Sequence, residues 1–282
     1  MADRRRINGP SGVTSSPVYE NAGSALGITG ICGSNPRHIF LKTGVTPSAS
    51  GSAYLEIGLS QGSGSVGPNG MKLICTVHGP RALPRSGPFS PHLILTTHVK
   101  FAPFASRQRR SYLRDSSERD LGVHLETALR GALIADRWPK SAVDVVVTII
   151  ESDQDIYTPN IRGYEIWNLV HTLSACITVA SAAFMDAGID CVDSVSGGAA
   201  TLVSSATQDV EVQLTPLPQE PSQILAACCV AYLPSRDEMT ALWIKGHIPP
   251  PGSTHQARLI ATAIQAAKAS KYPLVESLTE AL

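Results

Sequence analysis

Fifteen residues near the middle of the chain, KFAPFASRQRRSYLR (100–114), carry Lys100, Arg107, Arg109, Arg110 and Arg114 and no acid. Guanidinium groups one to four residues apart, with no carboxylate between them, suit one kind of chemistry. Their planar forks donate paired hydrogen bonds to phosphate. The surrounding small residues and proline read as an exposed loop, the place where such forks are free to bind. An ordinary solvated loop ahead of a helix has the same composition, so the residues alone leave both readings open. Arg81 and Arg85, in GPRALPRSG, add to the patch if the strand ends that carry them lie beside it. Phe101 and Phe104 either stack a base or anchor the core.

Other candidate chemistry is thinner. GSGSVG (62–67) has the letters of a dinucleotide fingerprint, but Pro68-Asn69-Gly70 and a strand follow where a helix N-terminus is required, so it reads as a loop. Eight histidines are scattered without zinc spacing, and no G-x-S-x-G nucleophile turn occurs. Neither a metal nor a cofactor is expected. Asp153, Asp155, Asp186, Asp190 and Asp193 sit near predicted element ends, where acids usually cap and solvate.

These side chains need a scaffold, and 282 residues are enough for a sizeable core. Lys and Arg together number 23, balancing 23 Asp and Glu; any nucleic-acid contact must therefore be a local patch. No secretory leader or membrane span is read. The most apolar stretch, Leu169 to Met185, is diluted by His171, Thr172, Ser174, Thr178 and Ser181. Six cysteines without C-x-x-C spacing suit buried, reduced thiols in an intracellular protein. Residues 1–36 are expected to be a flexible extension and 37–282 a single domain. Strands are predicted at Ala53–Gly58, Met71–Gly79, His92–Ala102 and Ala142–Ile150, the last buried on both faces. Further strands are expected within CVDSVSGGAATLV, ILAACCVAYL and TALWIKG. A helix capped by Ser117 and Asp120 presents Leu121, Leu125, Ala128, Leu129, Ala132 and Leu133 and runs to Trp138-Pro139. A second covers Leu173 to Ala187, with Gly188 closing it. A third begins near Ser253 or Thr254 and carries Ala257, Ile260, Ala261, Ile264 and Ala267. The order, β-β-β-α-β-α-β-β-β-α, is α+β with too few helices for a doubly wound sheet.

SGSAYLEIG, MKLICTVHGPR, FAPFASRQRR, SERDL and DAGIDCVDSVSG, in that order, resemble the RNase PH family, and with DRRRINGP they are most similar to its exosome ring subunits. The resemblance covers roughly residues 37–245. It implies one α/β domain like the second domain of ribosomal protein S5, with a mixed sheet and packed helices. Active members of the family cleave RNA 3′ ends with inorganic phosphate. They hold phosphate on a Gly-Thr-Arg turn at a helix start, use acids that act through a metal, and grip the RNA backbone with arginines. The resemblance puts His171, Thr172 and Leu173 at that turn, and Thr215 and Pro221 at two aspartates, with Glu220 nearby. A leucine donates nothing to phosphate, and neither threonine nor proline supplies a carboxylate. Only Arg107, Arg109 and Arg110 persist at the RNA-gripping segment.

The implied protein is therefore a non-catalytic, RNA-guiding member of a ring. Its implied partners are other RNase PH-type ring subunits, S1-type cap subunits, single-stranded RNA and a separate exoribonuclease, with no membrane. The implied locations are nucleus, nucleolus and cytoplasm. Two alternatives stand beside it: an active phosphate-dependent exoribonuclease using Arg162, and a scaffold that touches no RNA. The stretch Gln154 to His171 is read as an insertion that fills the phosphate pocket or docks a neighbour through Tyr157, Tyr164 and Trp167.

Overall fold

Alternating apolar residues put one side of each early strand in the core, and the computed structural model shows what covers that side. It describes residues 37–58, 70–83, 89–105, 113, 115–152, 163–204, 210–215, 223–247 and 254–281; the expected extension, 1–36, lies outside them. Strands β1 (Ile39–Thr43), β2 (Gly51–Ile57), β3 (Met71–Ala82), β4 (Ile94–Phe101) and β5 (Ser141–Glu151) form one sheet in the order β1-β2-β3-β5-β4. Its pairs are antiparallel except β4 with β5, which are parallel. Helix α1 (Ser116–Arg130) joins those two. After a single 3-10 turn (Ala135–Arg137) and β5 comes α2 (Tyr164–Asp186). A second, antiparallel sheet follows in the order β7-β6-β8-β9: β6 (Ser196–Ser204), β7 (Val210–Gln213), β8 (Gln223–Leu233) and β9 (Glu238–Gly246). Helix α3 (Thr254–Ala281) ends the described chain.

The elements stack in four layers. Helix α2 touches β2 and β3 of the first sheet on one side and β6 and β8 of the second on the other, while α3 lies on the far face of the second sheet. Two apolar clusters result, a large one around α2 and a smaller one between the second sheet and α3. Being enclosed on both sides explains the composition of α2. It is long and apolar enough to cross a bilayer, yet its most apolar window is 89% buried.

Several boundaries differ from the sequence reading. Strands β1 and β7 were not expected; both are short, with polar residues in register, and are held by longer neighbours. Only one face of β5 is fully buried: Val143, Val145, Val147 and Ile149 are inside, while Val146 and Ile150 lie on the face opposite the helices. Helix α1 is capped two residues earlier than expected, by Asp115 and Glu118 in a capping box, and stops at Gly131 before Trp138. Its predicted apolar face is buried throughout. Helix α2 begins nine residues before Leu173, so 164–171 is helix and not an inserted loop. Gly188 does follow it, at φ 67°. Helix α3 buries Leu259, Ala263, Ala267, Ser270, Leu274 and Ser277. Of the expected stripe, Ala267 is buried and Ile260 and Ile264 pack half-buried against the smaller cluster, while Ala257 and Ala261 are exposed.

Candidate functional site

Strand β4 delivers the basic segment, and its anchors are well defined. Phe101 is buried and donates its N–H to Glu118 Oε1 at 3.0 Å. Ala102 donates to Ile149 O at 2.8 Å, and Ser152 donates to Ala105 O at 3.0 Å. On the far side the capping box at Asp115 fixes the start of α1. The chain between these two anchors carries Arg107, Arg109, Arg110 and Arg114, which lie outside the described residues, as does Arg85. Of the two phenylalanines, Phe101 is a core anchor and Phe104 is 74% exposed.

Arg81 does not join Lys100 and the residues that follow it. It stands opposite Ala142, which in turn stands opposite Ile94 at the start of β4. Because β3 and β4 run in opposite directions, Arg81 and Lys100 occupy opposite ends of the sheet, about 20 Å apart at the usual strand rise. There Arg81 forms an ion pair with Asp144.

The residues placed at the family's catalytic positions divide between two faces of α2. His171 and Ser174 line a cavity of about 280 Å³ with Thr215, Gly197, Arg37 and Glu276. Leu173 lines a different cavity of about 260 Å³ with His124, Cys229 and Trp243. One helical turn carries both because residues two apart face away from each other. Pro221, Glu220 and Arg162 lie outside the described residues.

His171 stacks on Trp167 with ring centroids 4.9 Å apart. Burial first, and then the nearby Arg37 guanidinium, hold its imidazole well below the ordinary range, so it is neutral at physiological pH. Its Nδ1 is buried without a hydrogen-bond partner, as are Trp167 Nε1, Asn168 Oδ1 and Thr172 Oγ1. Tyr164 and Trp167 are core residues, buried to 4% and 1% exposure; Tyr157 lies outside the described residues. Sequence reasoning missed Arg37 and Glu276. Neither belongs to a local pattern, and only the meeting of β1 with α3 brings them to the cavity.

The remaining candidate acids have structural partners. Asp186 accepts from Ser52 N at 2.7 Å, Asp190 pairs with Arg137 at 3.2 Å, and Asp193 accepts from Ser194 N and Ser235 N at 2.7 Å each. Asp153 and Asp155 lie outside the described residues. Thr215 offers a hydroxyl, and among the described residues no group of three or more His, Cys, Asp and Glu side chains is placed to hold an ion. Burial pushes the Cys191 thiol up to about 11 and that of Cys228 to about 12, which makes both poor nucleophiles.

The four-layer fold, with its long central helix between two sheets, defines an RNase PH-type domain. Residues 35–190 match the family described as "3' exoribonuclease family, domain 1", and the chain belongs to the RNase PH family. It is 57% identical over 284 residues to the exosome complex component MTR3 of Chaetomium thermophilum, covering 99% of each chain. It is 27% identical over 250 residues to the exosome complex component mtr3 of Schizosaccharomyces pombe, covering 89% of this chain and 86% of that one. With the exosome complex component Rrp41 of Pyrococcus horikoshii it shares 29% over 250 residues, covering 86% and 84%. The crystal structure of rice Rrp46 superposes with a TM-score of 0.60 at 14% identity, covering 87% of this chain and 98% of that one; it bears on the fold alone.

Proposed function

We propose that this chain is a non-catalytic ring subunit of an RNA exosome core that guides RNA toward a separate nuclease. The full-length likeness to an exosome complex component carries this reading. The geometry of α2 supports the absence of phosphorolysis. The helix starts at Tyr164, so 171–173 is helix interior and not a helix start. Its backbone N–H groups are spent on intrahelical bonds and cannot cradle phosphate. Leu173 and Thr215 add no charge, and they line different cavities.

In this reading Arg107, Arg109, Arg110 and Arg114 hold the RNA backbone. Phosphate contacts position a strand without reading its sequence, which suits a conduit. Arg81, tied to Asp144 at the other end of the sheet, is not part of that grip. The partners are other RNase PH-type subunits, S1-type caps and the nuclease, and the locations are nucleus, nucleolus and cytoplasm.

Phosphorolysis tests the proposal. The purified chain is given short single-stranded RNA and magnesium, with and without inorganic phosphate, beside the Leu173→Arg variant. No nucleoside diphosphate is expected from either, since one arginine restores neither the helix start nor the acids. Phosphate-dependent release by the wild-type chain would make it an enzyme and sink the proposal.

A further inference from the structure

An RNA-guiding role makes no use of the cavity that Leu173 lines. It occupies about 260 Å³ between helices α1 and α2 and strands β8 and β9. Leu173 and Ile177 from α2 and Cys229 and Ala231 from β8, all buried, form its apolar floor. His124 and Trp243 form one wall as a stacked pair, with ring centroids 4.3 Å apart and planes 26° from parallel. Burial first, opposed by Asp120 and reinforced by Lys245, holds the His124 imidazole below its ordinary range, so this wall is neutral at physiological pH. Among the described residues, no Asp, Glu, Lys or Arg lines the cavity. Thr127 and Leu242, which also line it, are exposed and mark its mouth between α1 and β9.

Thr240 supplies a polar atom that the fold leaves unused. Ala231 stands opposite Ala241 and Tyr232 opposite Met239, so Thr240 is the extra residue of a β-bulge, a device that re-aims a side chain. It lines the cavity, and its Oγ1 is buried with no hydrogen-bond partner among the described residues. A Cβ on Gly131 would lie 2.8 Å from Thr240 Cβ, so the end of α1 holds this side chain in place. Thr127 Oγ1, by contrast, donates to Val123 O at 2.9 Å. Buried polar groups in native proteins nearly always have a partner.

We propose that this cavity binds a neutral bicyclic aromatic ring of the indole type, whose single hydrogen-bonding group pairs with Thr240 Oγ1. Size, charge and polarity select that class. A cavity of about 150 Å³ lined by aliphatic and aromatic side chains takes up benzene, so this larger one has room for a second fused ring. A charged ligand would meet no counter-ion on the lining. A purine would bring several donors and acceptors, most of them left unpaired against Leu173, Ile177, Cys229 and Ala231, whereas indole brings one N–H. The ring arrives either as a free heterocycle or as the side chain of a tryptophan that another protein presents. The inference goes beyond the RNA-guiding reading and does not depend on it.

Isothermal titration of the full chain with indole tests it, beside 1-methylindole, adenine and indole-3-acetate. Saturable binding of one indole per chain is expected, with a Kd below about 1 mM. Thr240→Val removes the hydroxyl and keeps the shape, and should weaken indole about fivefold, the usual worth of a neutral hydrogen bond. 1-Methylindole lacks the N–H and should bind the wild type no better than indole binds this variant. Ala241→Leu fills the cavity and should abolish binding, with urea unfolding checking that the variant is folded; if it is not, Thr240→Val and 1-methylindole decide alone. Adenine and indole-3-acetate should bind at least about tenfold more weakly than indole. N-acetyltryptophanamide separates the two sources: binding as tight as indole assigns the ring to a presented tryptophan, binding of indole alone to a free small molecule, and either supports the site. Absence of saturable indole binding, unchanged binding in either variant, or adenine binding more tightly than indole would each overturn the proposal.

Discussion

Gly197 and Gly198 open β6 and face opposite layers, which makes them a sensitive probe of how tightly the stack is closed. A Cβ on Gly197 would lie 2.1 Å from Ser174 O of α2, and one on Gly198 would lie 2.1 Å from Ala263 O of α3. Ordinary contact begins near 3.4 Å, so Gly198→Ala requires α3 to withdraw by about 1.3 Å. The obstacle is backbone, and Ala267 N follows at 2.5 Å, so no side-chain rotation relieves it. Withdrawal opens a gap beneath Leu259, Ala263 and Ala267, and a gap of 0.5–1 Å already forfeits roughly a quarter to a half of each dispersion contact. Overpacking of this kind costs roughly 1–3 kcal/mol, and about 3 is expected here because a whole helix must move. Urea unfolding followed by circular dichroism should show the midpoint falling by about 1 M at unchanged slope. Gly188→Ala is the control. Nothing lies within 4 Å of its Cβ, but φ is 67°, so only the left-handed penalty of roughly 1–2 kcal/mol applies. A Gly198→Ala chain within about 0.5 kcal/mol of wild type, the usual range for changes that strain nothing, would refute the close approach of α3 to β6.

Two further expectations concern α2. Trp167→Ala removes one of the largest fully buried side chains and should cost about 3–5 kcal/mol in the same unfolding assay; normal stability with impaired ring assembly would instead make Trp167 an interface residue. The depressed pKa of His171 means that the unfolded chain takes up a proton the folded chain refuses. Stability should therefore fall as pH drops below about 6.5, the unfolded value, by at most about 1.4 kcal/mol per pH unit from this residue. Substituting His171 with Leu should flatten that limb of the stability–pH curve, and an unchanged slope would count against a neutral, buried imidazole.

Much of the fold was legible in the sequence because its longer elements are strongly periodic. The apolar face of α1, the strands β2, β3, β4, β5, β6, β8 and β9, and the glycine after α2 all follow from local spacing. The collinear motifs also carried the family. What periodicity cannot supply is the environment of each face. Val146 and Ile150 look like core because β-branched residues suit any strand, yet they lie on the face of the sheet away from α1 and α2 and are only half-buried. Likewise 164–171 read as an insertion because resemblance to the family implied a shorter link there, and its Tyr, Trp, Asn and His are poor helix formers. Burial between two sheets overrides that propensity.

The candidate site divides in the same way. The arginine run is a local pattern and could be read directly, since consecutive like charges need no fold to be recognised. Strand direction decides a further point: β3 runs antiparallel to β4, so Arg81 stands at the end of the sheet away from Lys100. The separation of Leu173 from Thr215 and the cavity shared by Arg37, His171 and Glu276 were decided only by tertiary structure. The reason is physical: cross-strand register and helix phase are set by packing between residues far apart in the chain, and no short stretch of sequence contains them.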